Sequence, residues 1–163
     1  MGNNWKITDT LTKVFAEEVP DGQGSIRLST LHRETVSCVI AYFGAADWGR
    51  YWKVSVKAPE KIETRLRRVE LVPSAYPCHK EQDDNYLRIV PGMYPDLLRD
   101  LDTEDDGADK KYLTKEVPGQ WRSLWLDVTV DAELAGGDYA IVIETETEDG
   151  EKETLKADLH VVD

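Results

Sequence analysis

The carboxylates Asp83 and Asp84, with Asp96 downstream, fall in one stretch, 83-DDNYLRIVPGMYPDLLRDL-101, with Tyr86, Tyr94 and the breakers Pro91, Gly92 and Pro95. Neighbouring carboxylates raise one another's pKa and can divide the acid and base roles of sugar hydrolysis. Beside Asn85 and a Pro-Gly pair the commoner use is an Asx turn, in which the side-chain oxygen accepts from a nearby backbone N–H. The stretch therefore reads as a structured connection rather than a catalytic pair.

A calcium loop is approached and missed. Asp102, Glu104, Asp106 and Gly107 in 102-DTEDDGAD-109 imitate the opening D-x-[DN]-x-[DN]-G, yet the twelfth position is Leu113, where a bidentate glutamate belongs. An acidic, solvated and mobile loop is the expectation. His32, His79 and His160 have no partner at helical spacing, and Cys38 and Cys78 form no C-x-x-C pair, so no metal site follows. Gly22-Gln23-Gly24 lacks the third glycine of a dinucleotide site, and neither a phosphate-binding G-x-x-x-x-G-K-[ST] nor a G-x-S-x-G elbow occurs. Nothing assembles a nucleophile, a base and an orienting group. We expect no catalytic residue, no cofactor and no metal in this chain.

Five tryptophans, Trp5, Trp48, Trp52, Trp121 and Trp125, are the remaining candidates. Indole rings fill sandwich cores and also stack on sugars. Alternation places Trp52 on an apolar face with Val54 and Val56, as core. In 121-WRSLWLDVTV-130, Trp121 and Trp125 share the face opposite Leu124 and Leu126. Two indoles on the outer face of a sheet need a cover, whether a ligand, a loop or another domain.

The elements that position these residues are strands. Period-two alternation recurs along the chain: 33-RETVSCVIAYF-43 is apolar on both faces, as a central strand is, whereas 51-YWKVSVKA-58, 121-WRSLWLDVTV-130 and the Leu155, Ala157, Leu159, Val161 run each bury one face. The pattern 138-DYAIVIETETEDGEKETLKADLHV-161 is a hairpin turning at Asp149-Gly150. In 62-IETRLRRVELV-72 the apolar parity switches, which predicts a bulge near Arg67 or Arg68. Asp96 to Leu101 carries apolar residues at helical spacing but is too short for more than a turn or two. Seven or eight short strands and at most one short helix near 95–101 define an all-β protein, a two-sheet antiparallel β-sandwich, immunoglobulin-like or related.

Length and charge bound the rest. The 163 residues suit one domain, spanning 1–163, without internal repeats. With 20 Lys and Arg against 32 Asp and Glu the net charge is −12, a field that repels phosphate backbones and anionic lipid. No nucleic-acid partner and no membrane partner are expected. Lys6, Asp9 and Lys13 interrupt every apolar run before Pro20, so no signal peptide is read and a cytoplasmic location is the expectation, with reduced cysteines.

The runs 71-LVPSAYP-77, 83-DDNYLRIVPGMYPDLL-98 and 118-PGQWRSLWLDVTVDAELAGGDYAIVI-143 resemble the N-terminal domain of bacterial proteins related to glycoside hydrolase family 123, many labelled domain of unknown function 4091. The likeness runs from about Arg50 to Asp163. It implies a β-sandwich followed by a (β/α) barrel, whose adjacent Asp-Glu pair works with the substrate's own 2-acetamido group to cleave terminal β-linked N-acetylgalactosamine. No Asp-Glu dipeptide exists in this sequence, so those catalytic residues have no position here. What the resemblance implies is a non-catalytic accessory domain whose partner is the catalytic barrel of the same parent protein. The alternative is a carbohydrate-binding module that takes glycan by aromatic stacking. In either case Tyr86, Tyr94, Asp96, Trp121 and Trp125 are the candidate contacts.

Overall fold

A computed structural model describes residues 4–45, 49–78, 86–105 and 110–162. Asp83, Asp84, His79, Trp48, Asp106 and Gly107 lie outside the described residues. Strands account for all the regular structure among the described residues, in two packed sheets.

The first sheet holds β1 (Trp5–Thr8), β3 (Thr35–Phe43), β9 (Trp121–Val130), β5 (Ile62–Ser74) and β6 (Gly92–Asp100), in that spatial order. The second holds β2 (Ser25–Leu31), β11 (Lys152–Val162), β10 (Gly137–Thr147), β4 (Tyr51–Lys57), β8 (Lys110–Lys115) and β7 (Thr103–Asp105). Every ladder is antiparallel except β2 on β11, which is parallel. The sandwich expected from alternation is the one observed.

The period-two pattern explains the core. Cys38, Ile40 and Tyr42 of β3, Leu124, Leu126 and Val128 of β9, Trp52 and Val54 of β4, Ile141 and Ile143 of β10, and Leu155, Ala157 and Leu159 of β11 meet between the sheets. Trp5 stacks on Tyr42 with ring centroids 4.8 Å apart and meets the edge of Trp52 at 5.1 Å. The Cys38 thiol lies inside this core, where burial, with the nearby Asp127 charge, pushes its pKa up to about 12. It is a packing residue with no accessible thiolate.

The hairpin at Asp149-Gly150 forms, with Gly150 at φ 82°. Thr147 N–H donates to Glu151 O at 2.9 Å and Gly150 N–H to Thr147 O at 3.0 Å, so Glu148, Asp149 and Gly150 make up the loop and the glycine supplies its left-handed residue.

Three expectations are corrected. The described residues form eleven strands rather than seven or eight, because β1, β7 and β8 are short pieces whose alternation is too brief to see alone. Residues 95–101 are not helical: β6 runs through Pro95 to Asp100, since pairing with β5 satisfies its backbone where two isolated helical turns would not persist. Pro95 is tolerated there because β6 is an edge strand. The bulge falls not at Arg67 or Arg68 but between Glu70 and Leu71, which pair with Leu97 and Pro95, leaving Asp96 as the extra residue on β6. The parity switch at Val69 needs no bulge of its own. Val69 keeps its outward direction and lies with Val39 and Trp125 against Thr12 and Val14 of residues 9–20.

Candidate interaction site

The segment 9–20, between β1 and β2, crosses the outer face of the first sheet. Asp9 Oδ1 accepts from Leu11 N–H and Thr12 N–H, both at 2.9 Å, folding its start into an Asx-type turn. Val14 then packs with Val39, Ala41 and Trp121 in a second, smaller core, with Phe43 and Trp125 at its margin. Trp121 N–H donates to Ala16 O at 2.8 Å, tying the segment to β9. The cover required by the outward tryptophans is therefore a loop of the same chain. Trp121 is 7% exposed, and no ligand reaches its face while the segment is in place.

Trp125 has its polar edge engaged. Its Nε1–H and the Ser37 hydroxyl both donate to Asp127 Oδ1 at 2.7 Å, and Arg67 pairs with Asp127 Oδ2. Burial raises the Asp127 pKa, but the hydrogen bonds from Ser37, Trp125 and Arg67 outweigh it and hold the carboxyl below its ordinary value. A depressed folded-state pKa gives stability that is present above the unfolded value of 3.8 and disappears as pH falls through the folded value. Asp127→Asn should accordingly flatten the acid limb of stability against pH below about pH 4. An unchanged acid limb in urea titrations would show that the network carries no linked proton.

Tyr86, Tyr94 and Asp96 do come together. From Ile62 to Val69, β5 pairs with β9, with β6 joining on its other side from Arg67, whereas from Glu70 to Ser74 it pairs with β6 alone. The two strands leave the sheet as a ribbon, an arm closed by the 74–92 connection. Between arm and segment 9–20 lies a groove of ≈ 530 Å³ whose walls include Lys13, Phe15, Val72, Pro77, Tyr86, Arg88, Tyr94 and Asp96. Asp96, the extra residue of the bulge, lies on its wall. Tyr94 donates its hydroxyl to Val90 O at 2.5 Å and meets Phe15 edge-on at 5.7 Å. Trp121 and Trp125 are not part of this groove.

The arm is unusually apolar where it meets water. Tyr76 is 92% exposed and Leu87 75%, and Ile89, Val90, Met93 and Leu97 are also exposed. Native edge strands are normally blunted by charge, and this one exposes apolar side chains instead. Sequence reasoning found the tyrosines and Asp96 but missed Arg88 and Phe15. A lone arginine among apolar residues, 86-YLRIV-90, was the available signal.

Two other candidate residues pair within the fold. Glu104, from the calcium-like stretch, lies in β7 and pairs with Lys53 at 2.8 Å, so that part of the acidic loop is a strand. His160 Nδ1 sits 2.7 Å from Asp138 Oδ1.

The geometry defines a β-sandwich with a β5–β6 ribbon extending beyond the β9 ladder. No protein-family profile and no curated protein sequence matches the chain. Its fold is similar to part of a family 123 glycoside hydrolase from Clostridium perfringens, with a TM-score of 0.65 and 9% identity over 98% of this chain and 27% of that one. The chain thus spans about a quarter of the hydrolase's length. Weaker likenesses are the C-terminal domain of the Streptococcus agalactiae polypeptide BspA (TM-score 0.46, 14% identity, 98% of this chain and 50% of that one) and the Bacillus cereus major pilin subunit BcpA (0.44, 8%, 96% and 39%).

Proposed function

We propose that this chain is a non-catalytic accessory β-sandwich of a glycoside hydrolase-like protein, and that it packs through its arm against that protein's catalytic barrel. The observation that carries the reading is the arm itself: an edge ribbon outside the sandwich core whose Tyr76, Leu87, Val90 and Met93 have no cover among the described residues. The fold shared with part of a much longer hydrolase chain supports it, because such a chain has residues beyond the sandwich to supply the cover.

A second reading, glycan capture, is favoured by one observation only, the convergence of Tyr86, Tyr94 and Asp96 on one groove. Aromatic faces with a carboxylate are the parts of a sugar site.

Hydrogen exchange on the isolated chain and on the longer parent protein separates the two. Packing predicts that amides of residues 86–97 are slowed about tenfold or more in the parent, and that Met93→Asp with Leu97→Asp abolishes the difference. Identical exchange in both contexts, or independent tumbling of the two parts in small-angle scattering, would sink the packing role. Saturable heat on titrating the isolated chain with β-N-acetylgalactosamine-terminated oligosaccharides, lost in Tyr86→Ala, would move the function to glycan binding.

A further inference from the structure

Arg88 is drawn inward where its neighbours face out. Its side chain is 11% exposed between Leu87 at 75% and Ile89 at 49%. The guanidinium carbon lies 3.7 Å from the centre of the Phe15 ring, and its two terminal nitrogens pair separately with Glu17 and Glu18. A planar cation that stacks on an aromatic face and donates as a fork is a task for arginine that lysine performs poorly. All three partners belong to the segment 9–20, and Arg88 belongs to the arm. Phe15 in turn meets Tyr94 of β6, so the contact is made twice.

We propose that segment 9–20 and the arm residues 86–94 form a latch, closed by Arg88, and that the groove between them exists only while the latch is shut. Lys13 and Phe15 supply one wall, Tyr86, Tyr94 and Asp96 the other. Opening the latch separates the walls and uncovers the second core around Val14 and Trp121. An occupant in contact with both walls would bind the closed state alone, so that filling and closure would reinforce one another and its apparent affinity would scale with the closed fraction. Use of the latch in docking the barrel rests on the function proposed above. The latch itself does not, and it is tested on the isolated chain.

Residue-resolved hydrogen exchange reads both sides. The Trp121 amide, bonded to Ala16 O, reports the segment, and the β5–β6 ladder amides of the arm report the other wall. Arg88→Met keeps the aliphatic stem and loses the fork. It should raise exchange at both reporters by a common factor of roughly ten, with Arg88→Lys between it and the parent sequence. Acceleration at the arm with Trp121 unchanged, or the reverse, would overturn the latch. Should Arg88→Met loosen the whole sandwich, Glu17→Gln with Glu18→Gln decides, since those carboxylates are 61% and 62% exposed and their loss disturbs no packing. Paired acceleration in that variant supports the latch, and unchanged exchange refutes it. Failure of the barrel to protect residues 86–97 in the parent would remove the docking role and leave these outcomes untouched.

Discussion

Trp52→Ala is expected to lower the unfolding free energy by about 5 kcal/mol, the upper end of the range for deleting a buried aromatic side chain. Trp52 is 1% exposed and faces Trp5 edge-on across the core. Its indole N–H also donates at 2.7 Å to Oε1 of Glu116, a carboxylate that is itself 2% exposed. Glu116 also pairs with Arg50, at 3.4 Å, which divides itself between Glu116 and the exposed Glu151. Truncation therefore does two things at once: it opens a cavity between rigid sheets and removes a direct donor from a buried charge. Trp52→Phe separates them, because it retains most of the ring and loses only the donor. Urea unfolding checks the pair. A loss below about 1 kcal/mol for the alanine variant would mean that Trp52 is not a core residue, since such truncations in well-packed cores cost several times more.

Leu126→Ala should cost about 2–5 kcal/mol, with the larger value favoured by the rigidity of the site. Leu126 is fully buried and lies on β9 between Cys38 of β3 and Leu66 of β5, its partners in the two flanking ladders. Ladders on both sides hold the backbone, so the neighbours cannot close over the missing methyl groups, and an unfilled void persists. The check is again equilibrium unfolding, by heat and by urea, with the m-value expected to stay constant. A loss near zero would require that β3 and β5 collapse inward, which a crystal structure of the variant would reveal as a shortened strand separation.

Much of this architecture was legible from residues alone, and for a local reason. Successive side chains of a strand point to opposite faces, so β3, β4, β9, β10 and β11 announced their type, and β4, β9 and β11 also their buried face. Asp149-Gly150 likewise marked its turn, because the loop requires a left-handed residue that glycine provides without a steric cost. The outward parity of Trp121 and Trp125 was read correctly, as was their need for a cover. Tyr86, Tyr94 and Asp96 were brought to notice by residue type and lie on one groove.

What the sequence by itself determined about this protein is the sandwich, its core face and its strongly acidic balance, since each depends on neighbours in the chain or on a simple count. Tertiary structure alone decided that the Leu97-Leu98 spacing becomes an edge strand, because pairing with β5 overrides a weak helical preference. It also decided that Asp96 is the bulged residue, that residues 9–20 rather than a ligand cover Trp121, and that Arg88 reaches Phe15, Glu17 and Glu18. Each of these is a contact between segments far apart in sequence, and such contacts are selected by how faces pack once the sheets have formed, which no local spacing encodes.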